Sequence, residues 1–417
     1  MPFQAQRGTQ DVLPNQSHRW QWLEHGFLKL SSIYGYREVR TPVFEDINLF
    51  VRTAGESSDI VTKEMYDFVD KGGRHIALKP EETAPLARAV IEHNLCPTGT
   101  VGRFCYISPI YRYERPQKGR FREAHQVGLE LIGSPNVAAD VEIIEMTVKF
   151  YEMLGLKGLR VLINSLGRDE CRARYREAIL QHSDEMLKSQ STEFQERVQK
   201  NPLRLLDSKV PDIQILMKTA PNVLEYLEDE GKEKFGQIQE LLTAAGISYQ
   251  VEPTLVRGLD YYTDTVFEVQ STKLGAQSAL CGGGRYDNLI KELGGPATPS
   301  VGVAMGIERA LMVAEEEGLL PEEPSPTVFV AYMSDETGRE AKKLVGELRN
   351  QGISALIDID GKSLKSQLRQ ADKSGAKQVI VVGEDELASG QVALRNLATS
   401  EQKLIGRSEV ANHLGSS

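Results

Sequence analysis

Cysteine is scarce in this 417-residue chain, and none of it is paired in sequence. Cys96, Cys105, Cys171 and Cys281 form no C-x-x-C pair, so neither a zinc site nor a disulfide framework is expected, and buried free thiols are the default. The seven histidines show no HxxxH or HExxH spacing, so no transition-metal site is expected. No run of 18 apolar residues occurs, which excludes a membrane-spanning helix. The opening MPFQAQRGTQDVLP lacks the apolar core of a signal peptide and the Arg/Ser richness of a transit segment, so a cytoplasmic placement is expected. Positive charge is also in deficit. A net charge of −10 argues against a protein that coats nucleic acid by bulk attraction. Local basic patches that meet a structured RNA stay open.

The length suggests two or three domains. Trp20, Leu23, Phe27, Leu30 and Ile33 recur at helical steps over residues 15–34, and Gly35 ends the helix. Tyr36–Phe44 reads as extended and 82–95 as a helix. Arg103–Arg112 and Ala124 to about Ile132 read as strands around a basic, glycine-containing hairpin loop, and Asp140–Leu154 as helical. From about 171 to 245 the chain turns charged and helical, as an insertion into a β-rich domain would. Tyr249–Gln270 reads as strand-like. Gly282–Gly284 reads as a turn, and Ser300–Met305 as a strand feeding a helix from about Ile307 to Glu317. PEEPSP at 321–326 is the clearest linker. Beyond it, TVFVAYM, ISALIDI and KQVIVVG alternate with helices in a βαβαβ pattern, a small α/β domain with a largely parallel sheet.

Four runs carry candidate chemistry. In HQVGLELIG, alternation puts Gln126, Gly128 and Glu130 on one face and Val127, Leu129 and Leu131 on the other. The first face reads either as a polar floor for a ligand or as a solvent-facing edge. Beside it, Arg112, Arg115, Lys118, Arg120 and Arg122 lie within eleven residues, a density suited to a polyanion such as ATP or an RNA end. A solubilising loop is the alternative. In RGLDYY, strict alternation separates Arg257 and Tyr261 from Tyr262, unless a break at Gly258 lets all three meet. GGGRYD at 282–287 is not a phosphate loop of GxxxxGK[ST] type, and a ligand-side turn and a plain structural turn are both open. In GVAMGIERA, Arg309 falls in a first helical turn, where the dipole opposes a cation, so either an anionic ligand or plain exposure accounts for it.

The order of these pieces resembles the class II aminoacyl-tRNA synthetases. YGYREVRTPVFE, FCYISPIYRYERPQKGRFREAHQVGLELIG and GVAMGIERA look like their three motifs. LVRGLDYYT and GGGRYDNL look like signatures of the histidyl-tRNA synthetases, and RGTQDVLP and LFVRTAGESSDIVTKEMYDF are similar to that family too. The resemblance covers essentially the whole chain.

It implies an α+β fold: a class II antiparallel sheet flanked by helices over 1–320, a helical insertion at about 171–245, a linker at 321–326, and an α/β anticodon-binding domain over 327–417. It implies a homodimer with no membrane attachment. The implied activity is formation of histidyl-adenylate from histidine and ATP, with Mg²⁺ expected, and then transfer to the 3′ end of tRNA(His). Carried over by residue, Glu81, Glu82 and Thr83 of LKPEETAP fall in the histidine-binding set, with Glu81 and Thr83 holding the α-ammonium alongside Gln126. Glu130 and Tyr262 would grip the imidazole nitrogens, with Tyr261 lining the pocket. Arg112, Arg120 and Arg309 form the ATP-binding set, Arg112 at the α-phosphate and Arg309 at the γ end. Arg257 would face the reacting carboxylate and α-phosphate, and Arg257 and Arg112 are the catalytic pair. Two residues depart from the pattern. Lys79 stands where the family commonly has arginine, which loses the planar fork, and Glu82 stands where it often has a small or apolar residue. The alternative is a non-catalytic, histidine-sensing regulatory paralogue. Such paralogues typically lack the C-terminal domain and parts of the LVRGLDYYT run, and both are present here.

Overall fold

The computed structural model describes residues 3–415 apart from Glu56, Ser57, Asp59, Pro116, Lys118 and Lys209. The chain forms two units, residues 1–321 and 322–417.

The first unit is built on an eight-stranded sheet. In spatial order its strands are Arg37–Glu38, Gly102–Tyr111, Glu123–Ile132, Ser300–Gly306, Ala279–Arg285, Thr265–Ser271, Leu159–Ser165 and Tyr249–Val251. The two outermost pairings are parallel and the rest antiparallel. Alternation decides what each face does. Val127, Leu129 and Leu131 are buried against Phe27 of the helix Pro14–Ile33 and against Ile143, Ile144 and Phe150 of the helix Val137–Met153. Each such side chain withdrawn from water contributes about 1.5–3 kcal/mol. Pro14 opens the first helix and Gly35, at φ +77°, lets the chain turn away from it. Asn136 caps the second by accepting from the Ala138 N–H at 2.8 Å. The opposite sheet face carries the second core, with Phe104, Tyr106, Tyr262 and Tyr286 around Leu86 and Val90 of the helix Thr83–Glu92.

The charged helical stretch comprises Asp169–Lys188, Thr192–Lys200 and Pro211–Met217, with a core of its own around Tyr175, Ile179, Val198 and Met217. The next helix, Asp229–Ala244, leaves that core. Its Phe235, Ile238 and Leu242 are buried with the main sheet.

Two expectations are corrected. Tyr249–Gln270 is not one extended stretch: strand pairing stops at Val251 and resumes at Thr265, and the residues between form a loop. Gly282–Gly284 is no turn but the middle of the strand Ala279–Arg285. Glycine is tolerated in that strand because neighbours occupy the space where its side chains would stand.

In the second unit, Ala355–Ile357, Val328–Tyr332 and Gln378–Val382 pair in parallel. Gln391–Asn396 and Gln402–Gly406, absent from the βαβαβ reading, extend the sheet antiparallel. Helix Asp335–Asn350 starts on a capping box of Ser334 and Thr337 and buries Ala341, Leu344, Val345 and Leu348 against Val328, Val330 and Ile380. Phe329, Ala331 and Val379 face Ala371 on the other side. Both faces are therefore covered, as parallel strands require.

Candidate active site

The hairpin Gly102–Tyr111/Glu123–Ile132 supplies the floor. Its register sets Ser108 opposite Gln126, Tyr106 opposite Gly128 and Phe104 opposite Glu130. Gly128 is bare because the Tyr106 ring lies across it; a β-carbon there would stand 2.1 Å from Cζ. On the next strand Gly302 pairs with Glu130, and a β-carbon on it would meet the Glu130 carboxylate at 1.6 Å. Glu130 is fully buried and accepts from the Thr83 hydroxyl at 2.8 Å and from the Tyr286 hydroxyl. Burial pushes its carboxyl up to about 8, against the pull of those two donors.

The residues Lys79–Thr83 enter the helix Thr83–Glu92 beside that floor. Glu81 accepts from the backbone N–H of Thr83 at 2.7 Å and of Ala84 at 2.9 Å, satisfying donors that a helix start leaves free. Burial raises it to about 7 despite these bonds. Glu82 turns the other way. It forms a buried ion pair with Lys79 at 2.7 Å and accepts from the hydroxyls of Thr41 and Ser108, both at 2.6 Å. The two departures from the family pattern are thus one pair, whose opposite charges meet.

Four guanidinium groups face the same space. Arg112 donates to the Pro80 carbonyl at 2.7 Å. Arg309 donates to the carbonyls of Gly119 and Ala279 at 3.1 and 2.7 Å. Arg120 pairs with Glu114 at 3.2 Å. Arg257 pairs with Glu268 at 2.8 Å. Burial, then the repulsion of Arg120, lowers the Arg309 pKa from its ordinary value. Cations gathered to mutual cost suit an anionic ligand.

A cavity of about 220 Å³ is lined by Glu81, Glu82, Thr83, Arg112, Arg120, Gln126, Arg257, Tyr261, Tyr262 and Arg309 among others. Arg257, Tyr261 and Tyr262 all reach it, because the loop frees them from strand alternation. Gln126 Oε1 and Arg257 Nε are buried there without a partner among the described residues. Glu130 does not line the wall; it lies behind Thr83. Of the loop cations, Arg115 is exposed and Arg122 stacks 3.8 Å over the Tyr113 ring, both off the cavity, and Lys118 lies outside the described residues. All four cysteines are buried free thiols, and burial pushes Cys281, on the cavity wall, up to about 12.

Sequence reasoning missed Tyr106, Tyr286 and Glu268. A glycine facing an aromatic across the hairpin register was the available signal for Tyr106. Tyr286, just past the strand Ala279–Arg285, reaches Glu130 over a long separation, and Glu268 meets Arg257 through the path of the loop; a single sequence carries no sign of either. Among the described residues no helix is long and apolar enough to cross a membrane.

A histidyl-tRNA synthetase family model matches residues 8–310, and an anticodon binding domain model matches residues 327–416. A histidine–tRNA ligase of Synechocystis is 45% identical over 97% of this chain and 90% of its own length. The Geobacillus kaustophilus histidine–tRNA ligase is 44% identical over 99% of this chain and 98% of its own. The crystal structure of apo Staphylococcus aureus histidyl-tRNA synthetase superposes with a TM-score of 0.84 at 35% identity, covering 99% of both chains. With an antiparallel-rich sheet, helices and a C-terminal anticodon-binding domain in common, this chain belongs to the histidyl-tRNA synthetase family.

Proposed function

We propose that the cavity activates histidine with ATP and hands the histidyl group to the 3′ end of tRNA(His). The observation that carries this reading is the meeting of four guanidinium groups with the buried Glu81 carboxyl and the Tyr261 and Tyr262 phenols in one cavity. Full-length relatives that are histidine–tRNA ligases, together with the anticodon-binding domain, favour catalysis over the regulatory alternative.

In the first step the histidine carboxylate attacks the α-phosphorus of ATP in line. The bond to the β-phosphate oxygen breaks and pyrophosphate leaves. No side-chain nucleophile is needed; positioning and charge compensation suffice. Arg257 faces the carboxylate and α-phosphate, Arg112 the α-phosphate, and Arg120 and Arg309 the outer phosphates. ATP enters as its Mg²⁺ complex, the metal being part of the substrate. Glu81, Thr83 and Gln126 take the α-ammonium. Tyr262 serves one imidazole nitrogen, and Tyr261 lines the pocket. Glu130 accepts the imidazole N–H in place of the Thr83 hydroxyl it now holds. A site whose buried polar groups need these bonds rejects analogues that leave them unmade, by up to ~10⁴-fold. In the second step the terminal ribose hydroxyl of the tRNA attacks the adenylate carbonyl and AMP leaves, while the C-terminal domain holds the distant anticodon.

The same reading makes the enzyme a cytoplasmic homodimer, to which Phe44 and Phe68, exposed on one face of the small antiparallel sheet of Phe44–Asp46, His75–Leu78 and Tyr66–Val69, are suited. The test is ATP–pyrophosphate exchange with each of the twenty amino acids. Histidine alone is expected to support strong exchange, and a dominant signal from another amino acid would overturn the pocket assignment.

A further inference from the structure

The loop between Val251 and Thr265 carries Arg257, Tyr261 and Tyr262 without strand pairing of its own. Buried backbone carbonyls must find donors from somewhere. At the loop's two ends the main sheet supplies them, Asn164 donating to the carbonyls of Pro253 and Leu255 and the Leu166 N–H to that of Asp264. In its middle, at Gly258, Asp260 and Tyr262, they come from the helical insertion. Arg172, in the first turn of the helix Asp169–Lys188, donates to the carbonyl of Tyr262 at 2.8 Å and to that of Asp260 at 3.3 Å. Arg204 donates to the Gly258 carbonyl at 3.0 Å. Asn201 donates to the Asp260 carboxylate at 2.9 Å.

Arg172 sits at a triple disadvantage. It is partly buried, and burial lowers its pKa. It makes no ion pair among the described residues. It also stands in a first helical turn, where the dipole opposes a cation. A second, smaller cavity lies on this side of the loop and shares Arg257, Leu259 and Tyr262 as wall with the active-site cavity. The loop is therefore a thin partition. The sheet holds the loop at its ends, through Ile163, Asn164, Leu166 and the Arg285 carbonyl, and Arg172 braces its middle from the insertion side. Only a planar fork reaches two carbonyls two residues apart; an ammonium is a point donor.

We propose that Arg172, supported by Arg204 and Asn201, is a positioning residue: the insertion, through this fork, holds Arg257 and Tyr262 in register with the reacting groups. The inference rests on the synthetase reading above and assigns the insertion a part in amino-acid activation itself. The phosphate-side arginines are anchored elsewhere, on Pro80, Gly119 and Ala279. Losing the fork should therefore disturb the histidine side and the reacting centre, and spare the hold on ATP.

The experiment compares Arg172→Ala, Arg172→Lys and Arg204→Ala in the full chain. Histidine-dependent exchange is normalised to active sites counted by the burst of adenylate. Arg172→Ala is expected to lower kcat per site about ten- to a hundredfold, the scale of a misplaced reacting group. It should raise the histidine KM and leave the ATP KM within about twofold. Arg172→Lys and Arg204→Ala should follow in the same direction with smaller losses, and they carry the test if Arg172→Ala does not fold. In an Arg257→Ala background Arg172→Ala should add little, since the two act through one element. Hydrogen exchange of the amides from 256 to 264 should quicken at least tenfold in Arg172→Ala while the strand Gly102–Tyr111 is unchanged. That readout stands even if wild-type exchange with histidine fails, which would sink the synthetase reading alone. Unchanged loop protection, per-site kinetics within twofold of wild type, or losses that multiply with Arg257→Ala would overturn the proposal.

Discussion

The guanidinium of Arg257 lies against Gly282 so closely that a β-carbon on the glycine would stand 1.7 Å from Nη2. On its other side the group is held by Glu268. The glycine on one strand and the acid on the next make a slot for the cation proposed to meet the reacting phosphate.

A first pair of predictions follows from that slot. Arg257→Ala should lower kcat for adenylate formation by ~10²–10³, the cost of one preorganised donor, while raising the histidine KM much less. Transfer from preformed adenylate should suffer less, because pyrophosphate has already left. Gly282→Ala adds a methyl that a flexible side chain can evade, so the chain should fold but with Arg257 displaced. Its kcat should approach that of Arg257→Ala, and the double variant should be no slower. Single-turnover rates of the two steps decide this. Equal slowing of both steps would reduce Arg257 to shaping the pocket.

The raised carboxyls lead to a dependence on pH. Glu81 at about 7 and Glu130 at about 8 keep protons in the folded chain that the unfolded chain sheds near its ordinary carboxylate values. Below about pH 4.5 both states hold these protons. From there to between 7 and 8 the unfolded chain binds fewer, so this contribution to stability falls as pH rises and levels off above. Histidine, bringing an ammonium, should draw the carboxyls into their ionised form and release protons on binding at pH 7. Its affinity should then rise from pH 6 to 8, and Glu130→Gln should blunt the rise. Calorimetry in buffers of different ionisation heat measures the release; proton uptake, or none, would refute it.

The Lys79–Glu82 pair is buried on both sides, at 2% and 0% side-chain exposure. Removing one partner strands the other charge, so Glu82→Leu or Lys79→Met alone should cost about 3–5 kcal/mol. The double substitution should recover most of that loss. Denaturant unfolding followed by tryptophan fluorescence reports on the right unit, since Trp20 and Trp22 both pack against its core. Equal losses in single and double variants would show that the pair carries no mutual dependence.

A chain stopped at Glu322 should keep histidine-dependent exchange and lose most tRNA charging. Charging by the full chain should weaken with added salt as phosphate contacts release counterions. A filter-bound charging assay on both chains separates the steps. Undiminished charging by the short chain would remove the C-terminal unit from RNA binding.

Local periodicity was enough for much of this molecule. The alternation of Gln126–Leu131 predicts which side chains enter the core, because a strand's two faces are set by neighbours in sequence. Helical spacing predicts Pro14–Ile33 and Ile307–Glu316 within a residue or two, for the same reason. The glycine strand, the unpaired loop 252–264 and the burial of Glu130 behind Thr83 were decided only in three dimensions. Each depends on a partner far along the chain: Gly302 and Tyr286 for Glu130, Arg257 for Gly282, Arg172 for Tyr262. Periodicity carries no information about which distant side chain will fill the space over a glycine or answer a loose carbonyl. Those pairings form when strands and insertion close on one another, where excluded volume and unsatisfied donors select the only arrangement that fits.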